Sequence, residues 1–383
     1  MSLAIKQCVC VRGTHSATVF ASLGTRQFRE NLGDGVIGVC FESVGEVRVR
    51  ELADPVLESP NDAIVKVSLA GLCGSDLHPF FGREVGLEPG TVMGHEFIGE
   101  VIATGDDVQQ ISVGTRVCAP FTTNCGHCYY CDTGLTSRCV NGQLFGWRQN
   151  GNGLHGGQSA LVRVPHADGT LMKIPDGVSD ETALLLGDNL STGRFAADMA
   201  GVSTTGMFGV IGCGTVGLLA IAAAKQLGAQ QVIAVDPCRP RLKLAESLGA
   251  MTYANAGDAL RQAKMLTNQR GLDGVMELVG LPEAQRLAYE LVRPGGTLSV
   301  IGCHCTPNFS FSPADAYDKN LTYRAGRCPA RHYMNLLTST PNISEMDLSW
   351  SITHHFPVTD AVEAYRIFST RDDGCIKAVL HFD

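Results

Sequence analysis

The stretch MFGVIGCGTVGLLAIAAAKQLGAQQVIAVD, Met207–Asp236, decides the fold class. Met207–Ile211 is a short apolar run of strand character. Gly212–Gly217 is glycine-rich. Leu218–Leu227 is an Ala/Leu helical run closed by Gly228. Val232–Val235 is a second apolar run that ends at Asp236. Strand, glycine turn, helix and strand in this order form one unit of a parallel sheet. Gly212-Cys213-Gly214-Thr215-Val216-Gly217 fits G-x-G-x-x-G, with an acid 19 residues after its last glycine. Gly212 permits the tight turn, Gly214 lets the backbone approach a pyrophosphate, and Gly217 allows close helix–strand packing. The helix N-terminus offers free N–H groups and a positive dipole end to phosphates. Asp236 can bond the ribose hydroxyls and would repel a 2′-phosphate, so NAD is expected over NADP. Arg239 and Arg241 lie just beyond, and arginines can hold that phosphate; Arg241 is therefore counted with the cofactor-binding residues.

The pattern continues outward. Lys243–Leu248 reads as helix, and Gly274–Val279 and Thr297–Ile301 read as strands with a helical pattern between them. A doubly wound parallel (Rossmann) α/β domain is expected over 192–330. Upstream, short β-like runs sit between glycines at Val36–Val49, Ala63–Ala70 and Phe97–Thr104. They predict an irregular β-rich domain over 36–191. Residues 331–383, rich in His and aromatics, are expected to return to it.

Cys125-x2-Cys128-x2-Cys131-x7-Cys139 is the strongest single motif. Four thiolates on one compact loop can close a tetrahedral zinc site with no open position, which makes such a site structural. Cysteines three residues apart are poorly placed to pair with each other as disulfides. His127 lies inside the loop and reads as a bystander. Elsewhere, Cys73 (in Gly71-Leu72-Cys73-Gly74-Ser75-Asp76), His95 (in Gly94-His95-Glu96) and Asp188 (in Gly187-Asp188-Asn189-Leu190-Ser191-Thr192-Gly193) are unremarkable singly: buried cysteines and lone histidines are common in cores.

In order and separation these segments resemble the medium-chain zinc alcohol dehydrogenases over about residues 36–383. The resemblance implies a GroES-like catalytic domain and a second, catalytic zinc held by Cys73, His95 and Asp188. The third ligand departs from the family's common Cys; the Asp-x-x-x-Thr-Gly form resembles the bacterial secondary-alcohol and formaldehyde-type branch. Zinc with an open fourth position would lower the pKa of an alcohol and polarise a carbonyl. Ser75 is then expected to contact the alcohol, with His78 at the solvent end of a proton relay. Asp76 and Glu96 flank the ligands and are expected to support them. Thr192 and Val216 match positions that hold the nicotinamide, and Lys377 matches a basic residue that reaches the pyrophosphate. The family's other phosphate-binding basic residue is replaced by Gly74. Cys303-His304-Cys305 reads as packing near the cofactor, since three adjacent residues cannot easily converge on one ion.

The expected activity is NAD-dependent hydride transfer to and from a small primary or secondary alcohol, with two zinc ions per subunit. A formaldehyde or glutathione-adduct dehydrogenase and a polyol dehydrogenase are the alternatives. An NAD-binding structural protein would be expected to have lost its zinc ligands. The chain has 383 residues, 44% hydrophobic and 18% charged, with net charge −8. That composition suits two globular domains and argues against nucleic acid or anionic membrane as partners. No apolar run is long enough to cross a bilayer. With 15 cysteines, an odd number on a large chain, it does not read as a secreted disulfide scaffold. A homodimer or homotetramer is expected by resemblance. Residues 1–35 form an extension carrying Lys6, Arg12, Arg26 and Arg29 and no acid before Glu30. It reads as a mitochondrial presequence, a disordered tail or a misplaced start, so the expected location is cytoplasmic, with the mitochondrial matrix as alternative.

Overall fold

The computed structural model describes residues 35–305, 308–340 and 343–382. The reading of the N-terminal extension falls almost wholly outside the described residues. Among the described residues, no helix is long and apolar enough to cross a membrane.

The strand Met207–Ile211 is the centre of a six-stranded sheet. Across it the order is Met251–Tyr253, Gln231–Val235, Met207–Ile211, Leu272–Glu277, Val292–Val300 and Thr322–Ala325. Every neighbouring pair is parallel. The chain moves outward one way from Met207–Ile211, then returns to its other side at Leu272–Glu277. The reversal opens a crevice at the C-terminal ends of these two strands, where doubly wound sheets bind ligands. The helices Thr215–Gln226 and Pro282–Leu291 cover the sheet. Strands with helices on both faces have apolar side chains on both, and Met207–Ile211 is buried at all five positions.

The other domain is a mostly antiparallel sheet. Its order is His354–Pro357, Ala378–His381, Ala63–Gly71, Phe97–Thr104, Arg116–Cys118 and Met172–Lys173. Ala63–Gly71 also pairs with Leu161–Val164. From the C-terminal segment, Ala378–His381 therefore lies beside a strand from the first hundred residues, and His354–Pro357 extends the sheet beyond it. Two helices, Asp180–Gly187 and Asn189–Met199, connect the two sheets, and an expected domain boundary at 191/192 falls inside the second of them.

Candidate active site and metal centres

The crevice glycines differ in what surrounds them. Gly212 has φ +91°, a left-handed conformation open to glycine. A Cβ on Gly217 would collide with the Gly212 carbonyl oxygen, so the helix packs tightly on the turn. A Cβ on Gly214 would meet only an Arg241 guanidinium nitrogen, 3.9 Å away, which leaves room for a phosphate there. Asp236 Oδ2 accepts the Cys213 N–H and Oδ1 the Cys238 N–H, both at 2.8 Å. Arg241 stands 3.8 Å from the same carboxylate. Among the described residues its buried Nε has no hydrogen-bond partner.

Cys125, Cys128, Cys131 and Cys139 bring their sulfurs within 4.8 Å of one another, and all four are free thiols. Backbone N–H groups of Val140 and Cys131 hold the Cys128 thiol down at about 6, so a thiolate is present there at neutral pH. His127 turns its Nδ1 to the Cys125 carbonyl at 2.8 Å and stays out of the sulfur cluster. Four sulfurs around one point, on a loop with only short helical turns, suit a closed zinc site.

The second cluster is assembled from distant segments. Cys73 follows the strand Ala63–Gly71 and His95 precedes Phe97–Thr104, an antiparallel partner of that strand. Asp188 sits at the break between the two connecting helices, where φ −143° and ψ −74° interrupt the helical path and aim its side chain across. Cys73 Sγ is 3.4 Å from Asp188 Oδ2, and His95 Nε2 is 3.6 Å from the same oxygen. One ligand atom each from Cys73, His95, Glu96 and Asp188 lies within 4.8 Å of the others.

The supports around these residues are specific. Asp76 Oδ1 lies 3.1 Å from His95 Nδ1, which fixes the ring and leaves Nε2 facing the cluster. Asp76 Oδ2 also accepts the Cys73 N–H at 2.9 Å. Thr192 Oγ1 donates to Asp188 Oδ1 at 2.9 Å. Asn189 Nδ2 donates both to Asp188 Oδ2 at 3.1 Å and to Glu96 Oε1 at 2.9 Å. Asn189 was missed by the sequence reading, although it directly follows the expected ligand. Burial pushes the Asp188 carboxyl upward, but the contact and charge of His95 outweigh it and hold the group below the usual carboxylate range. Burial alone would depress His95; the Asp76 and Asp188 carboxylates instead raise it well above the ordinary imidazole value. A pocket that draws positive charge this strongly onto an imidazole, beside a soft thiol, is suited to a divalent zinc-type ion.

Three groups have surroundings that the sequence did not show. Lys377 turns its Nζ to the ligand cluster. It is 1% exposed and its Nζ is ion-paired with Glu96 Oε2, a residue with no exposure at all. A buried ammonium is tolerated only beside a counter-charge, and Glu96 is the acid it finds. Glu96 therefore does more than flank a ligand: it ties the C-terminal segment to the ligand cluster. His78, expected at the solvent end, is buried with 8% exposure. Burial, and then the Arg83 charge, lower its pKa below the ordinary value of 6.5. The third group is Cys303-His304-Cys305. His304 turns away to Glu277, but Cys303 and Cys305 converge with His78. Ser75 Oγ lies 3.2 Å from His95 Nε2.

Comparison with known proteins follows this geometry. A family model described as Alcohol dehydrogenase GroES-like domain matches residues 59–176, and one described as Zinc-binding dehydrogenase matches 215–338. The chain is similar to zinc-type alcohol dehydrogenase B of Aspergillus flavus, at 40% identity over 343 residues, covering 86% of this chain and 78% of that protein. It is similar to sorbitol dehydrogenase of Bacillus subtilis, at 32% identity over 273 residues, covering 67% of this chain and 72% of that one. Among solved structures it is similar to alcohol dehydrogenase TADH from Thermus sp. ATN1, with TM-score 0.83 and 36% identity over 90% of this chain and 99% of that one.

Proposed function

The chain belongs to the zinc-containing medium-chain alcohol dehydrogenases, and from that premise we propose that it transfers hydride between a small primary or secondary alcohol and NAD. The observation that carries this reading is the convergence of Cys73, His95 and Asp188 within 4.8 Å. These three residues would hold a zinc with an open fourth position, and the four-cysteine loop would hold a structural one. Zinc there supplies the Lewis acidity that lowers an alcohol's pKa, and NAD supplies the hydride acceptor.

The chain's own residues do the rest. Asp76 fixes the His95 tautomer and ring direction. Thr192 and Asn189 lock the Asp188 rotamer. Ser75 Oγ stands beside the ligand atoms and can accept a proton from a substrate hydroxyl while donating its own onward. His78 Nδ1 has no hydrogen-bond partner among the described residues and can take that proton. Gly212, Gly214 and Gly217 shape the pyrophosphate turn, Val216 and Thr192 border the nicotinamide position, and Arg241 faces the phosphate side. The subunit is proposed to act as a homodimer or homotetramer, in the cytoplasm.

Because burial keeps His78 neutral, its protonation falls below pH 6.5. A depressed pKa means the base form is present above that window and lost as pH falls through it. The kcat/KM for alcohol oxidation should therefore carry an acid limb below pH 6.5. His78→Gln should remove that limb and lower kcat by about 10- to 100-fold. An unchanged pH profile in the variant would dismiss the relay.

Coenzyme choice rests on Asp236, whose buried carboxylate would face a 2′-phosphate with like charge. Asp236→Gly should shift the NADP to NAD ratio of kcat/KM by about 10²-fold toward NADP, with Arg241 left to receive the phosphate. A wild-type enzyme that already prefers NADP would contradict this assignment.

A polyol is the second reading, favoured by the Glu96 carboxylate within the ligand cluster and by the likeness to a sorbitol dehydrogenase. Steady-state rates with NAD over ethanol, 2-propanol, sorbitol and hydroxymethyl-glutathione separate the possibilities. The highest kcat/KM is expected with ethanol or 2-propanol. Turnover of the glutathione adduct alone would overturn the reading.

A further inference from the structure

A third group of ligand-type side chains lies outside both clusters described above. The strand Val292–Val300 runs out into Ile301-Gly302-Cys303-His304-Cys305. Side chains along an extending chain alternate in direction. His304 points one way, with Nε2 2.9 Å from the wholly buried Glu277. Cys303 and Cys305 point the other way, toward His78 on the short helix Leu77–Phe80. The two sulfurs and one His78 ring nitrogen lie within 4.8 Å of one another.

His78 supplies a second, independent observation. It is 8% exposed, and among the described residues its buried Nδ1 has no hydrogen-bond partner. Buried polar atoms are nearly always paired, so an unpartnered imidazole nitrogen on a residue that converges with two free thiols points to a ligand. Two thiols and an imidazole are the donor set of zinc-type ions; magnesium and calcium prefer oxygen.

We propose that Cys303, Cys305 and His78 form a third metal site that takes a thiophilic divalent ion such as zinc. The site draws its ligands from both domains: His78 from the catalytic side, the cysteines from the end of a coenzyme-domain strand. With three protein ligands its fourth position is open, so the ion is exchangeable, in contrast to the four-cysteine loop. An ion on His78 withdraws that residue from proton transfer, a consequence that rests on the relay proposed above. Zinc in excess of two equivalents then slows turnover.

The test compares the full chain with Cys305→Ser, an exposed position where the change leaves the core intact. Both proteins are equilibrated with micromolar zinc, freed of unbound metal by gel filtration and analysed for zinc. The wild type should retain one more zinc per chain than Cys305→Ser. Cobalt(II) in place of zinc should give a sulfur-to-cobalt charge-transfer band that is weaker in the variant. Cys303→Ser should repeat both results. If the Cys73 cluster held no zinc, both totals would fall together and the difference would persist, so the two failures are distinguishable. Equal zinc content and identical cobalt spectra in wild type and both variants would overturn the proposal.

Discussion

Asp188→Ala should leave one zinc per chain where the wild type holds two at the Cys73 and four-cysteine clusters, and should lower kcat for alcohol oxidation by at least about 10³-fold. The Lewis acidity of an open zinc site contributes several kcal/mol of charge stabilisation, and each 1.36 kcal/mol is worth tenfold in rate. Asp188 is the residue that both remaining ligands approach: Cys73 Sγ at 3.4 Å and His95 Nε2 at 3.6 Å. It is 7% exposed, and its oxygens are held by Thr192 and Asn189, so its geometry is fixed before any ion arrives. Removing it leaves two ligands, too few for tight binding. Asp188→Cys, which supplies the thiolate common in the family, should restore zinc and much of the rate. The four-cysteine zinc should be untouched in both variants. If Asp188→Ala kept its full metal content and its rate, Asp188 would not be a ligand, and Glu96 would be the acid to examine next.

The second large effect is on stability. Lys377→Met should destabilise the protein by about 3–5 kcal/mol, the usual cost of leaving one partner of a buried ion pair alone. Lys377 and Glu96 are 1% and 0% exposed. Burial pushes the Glu96 carboxyl up, and the Lys377 charge pulls it back. Without the ammonium, Glu96 must either stay charged, buried beside the Asp188 carboxylate, or take up a proton. Adding Glu96→Gln to Lys377→Met should recover most of the loss, because the orphaned charge is gone. Urea denaturation of the four proteins in this cycle measures it. A Lys377→Met protein as stable as wild type, but with weakened NAD binding, would restore the pyrophosphate role that the sequence suggested.

Sequence reached unequally into this molecule. Met207–Asp236 was legible because everything it specifies is local: the turn glycine, the open glycine and the packing glycine act within six residues. The four-cysteine loop was legible for the same reason, since its spacing alone brings the sulfurs together. Cys73, His95 and Asp188 have no local signature; strand pairing and a break between two helices bring them into one place, and only the family resemblance pointed to them. The pairing of Lys377 with Glu96 was not legible because a sequence position does not show where a long side chain turns. A Cβ on Gly71 would collide with Glu96 and crowd Lys377. The missing side chain at residue 71 therefore makes room for the ion pair, a fact readable only in three dimensions. His78 was placed at the solvent end of a relay by resemblance, and its burial is set by packing that the sequence does not display. The triplet at 303–305 was read as packing because three adjacent residues cannot easily converge on one ion, whereas alternation splits it into one residue facing Glu277 and two facing His78.

The most direct test of the account is NAD reduction by 2-propanol before and after selective removal of the more labile zinc. The protein is dialysed against a chelator until the ion at Cys73, His95 and Asp188 is lost and the four-cysteine ion remains, and one equivalent of zinc is then returned. The account predicts that NADH formation disappears with that ion and returns with its replacement, while the fold is unchanged throughout. Undiminished NADH formation with the Cys73 cluster emptied would contradict it.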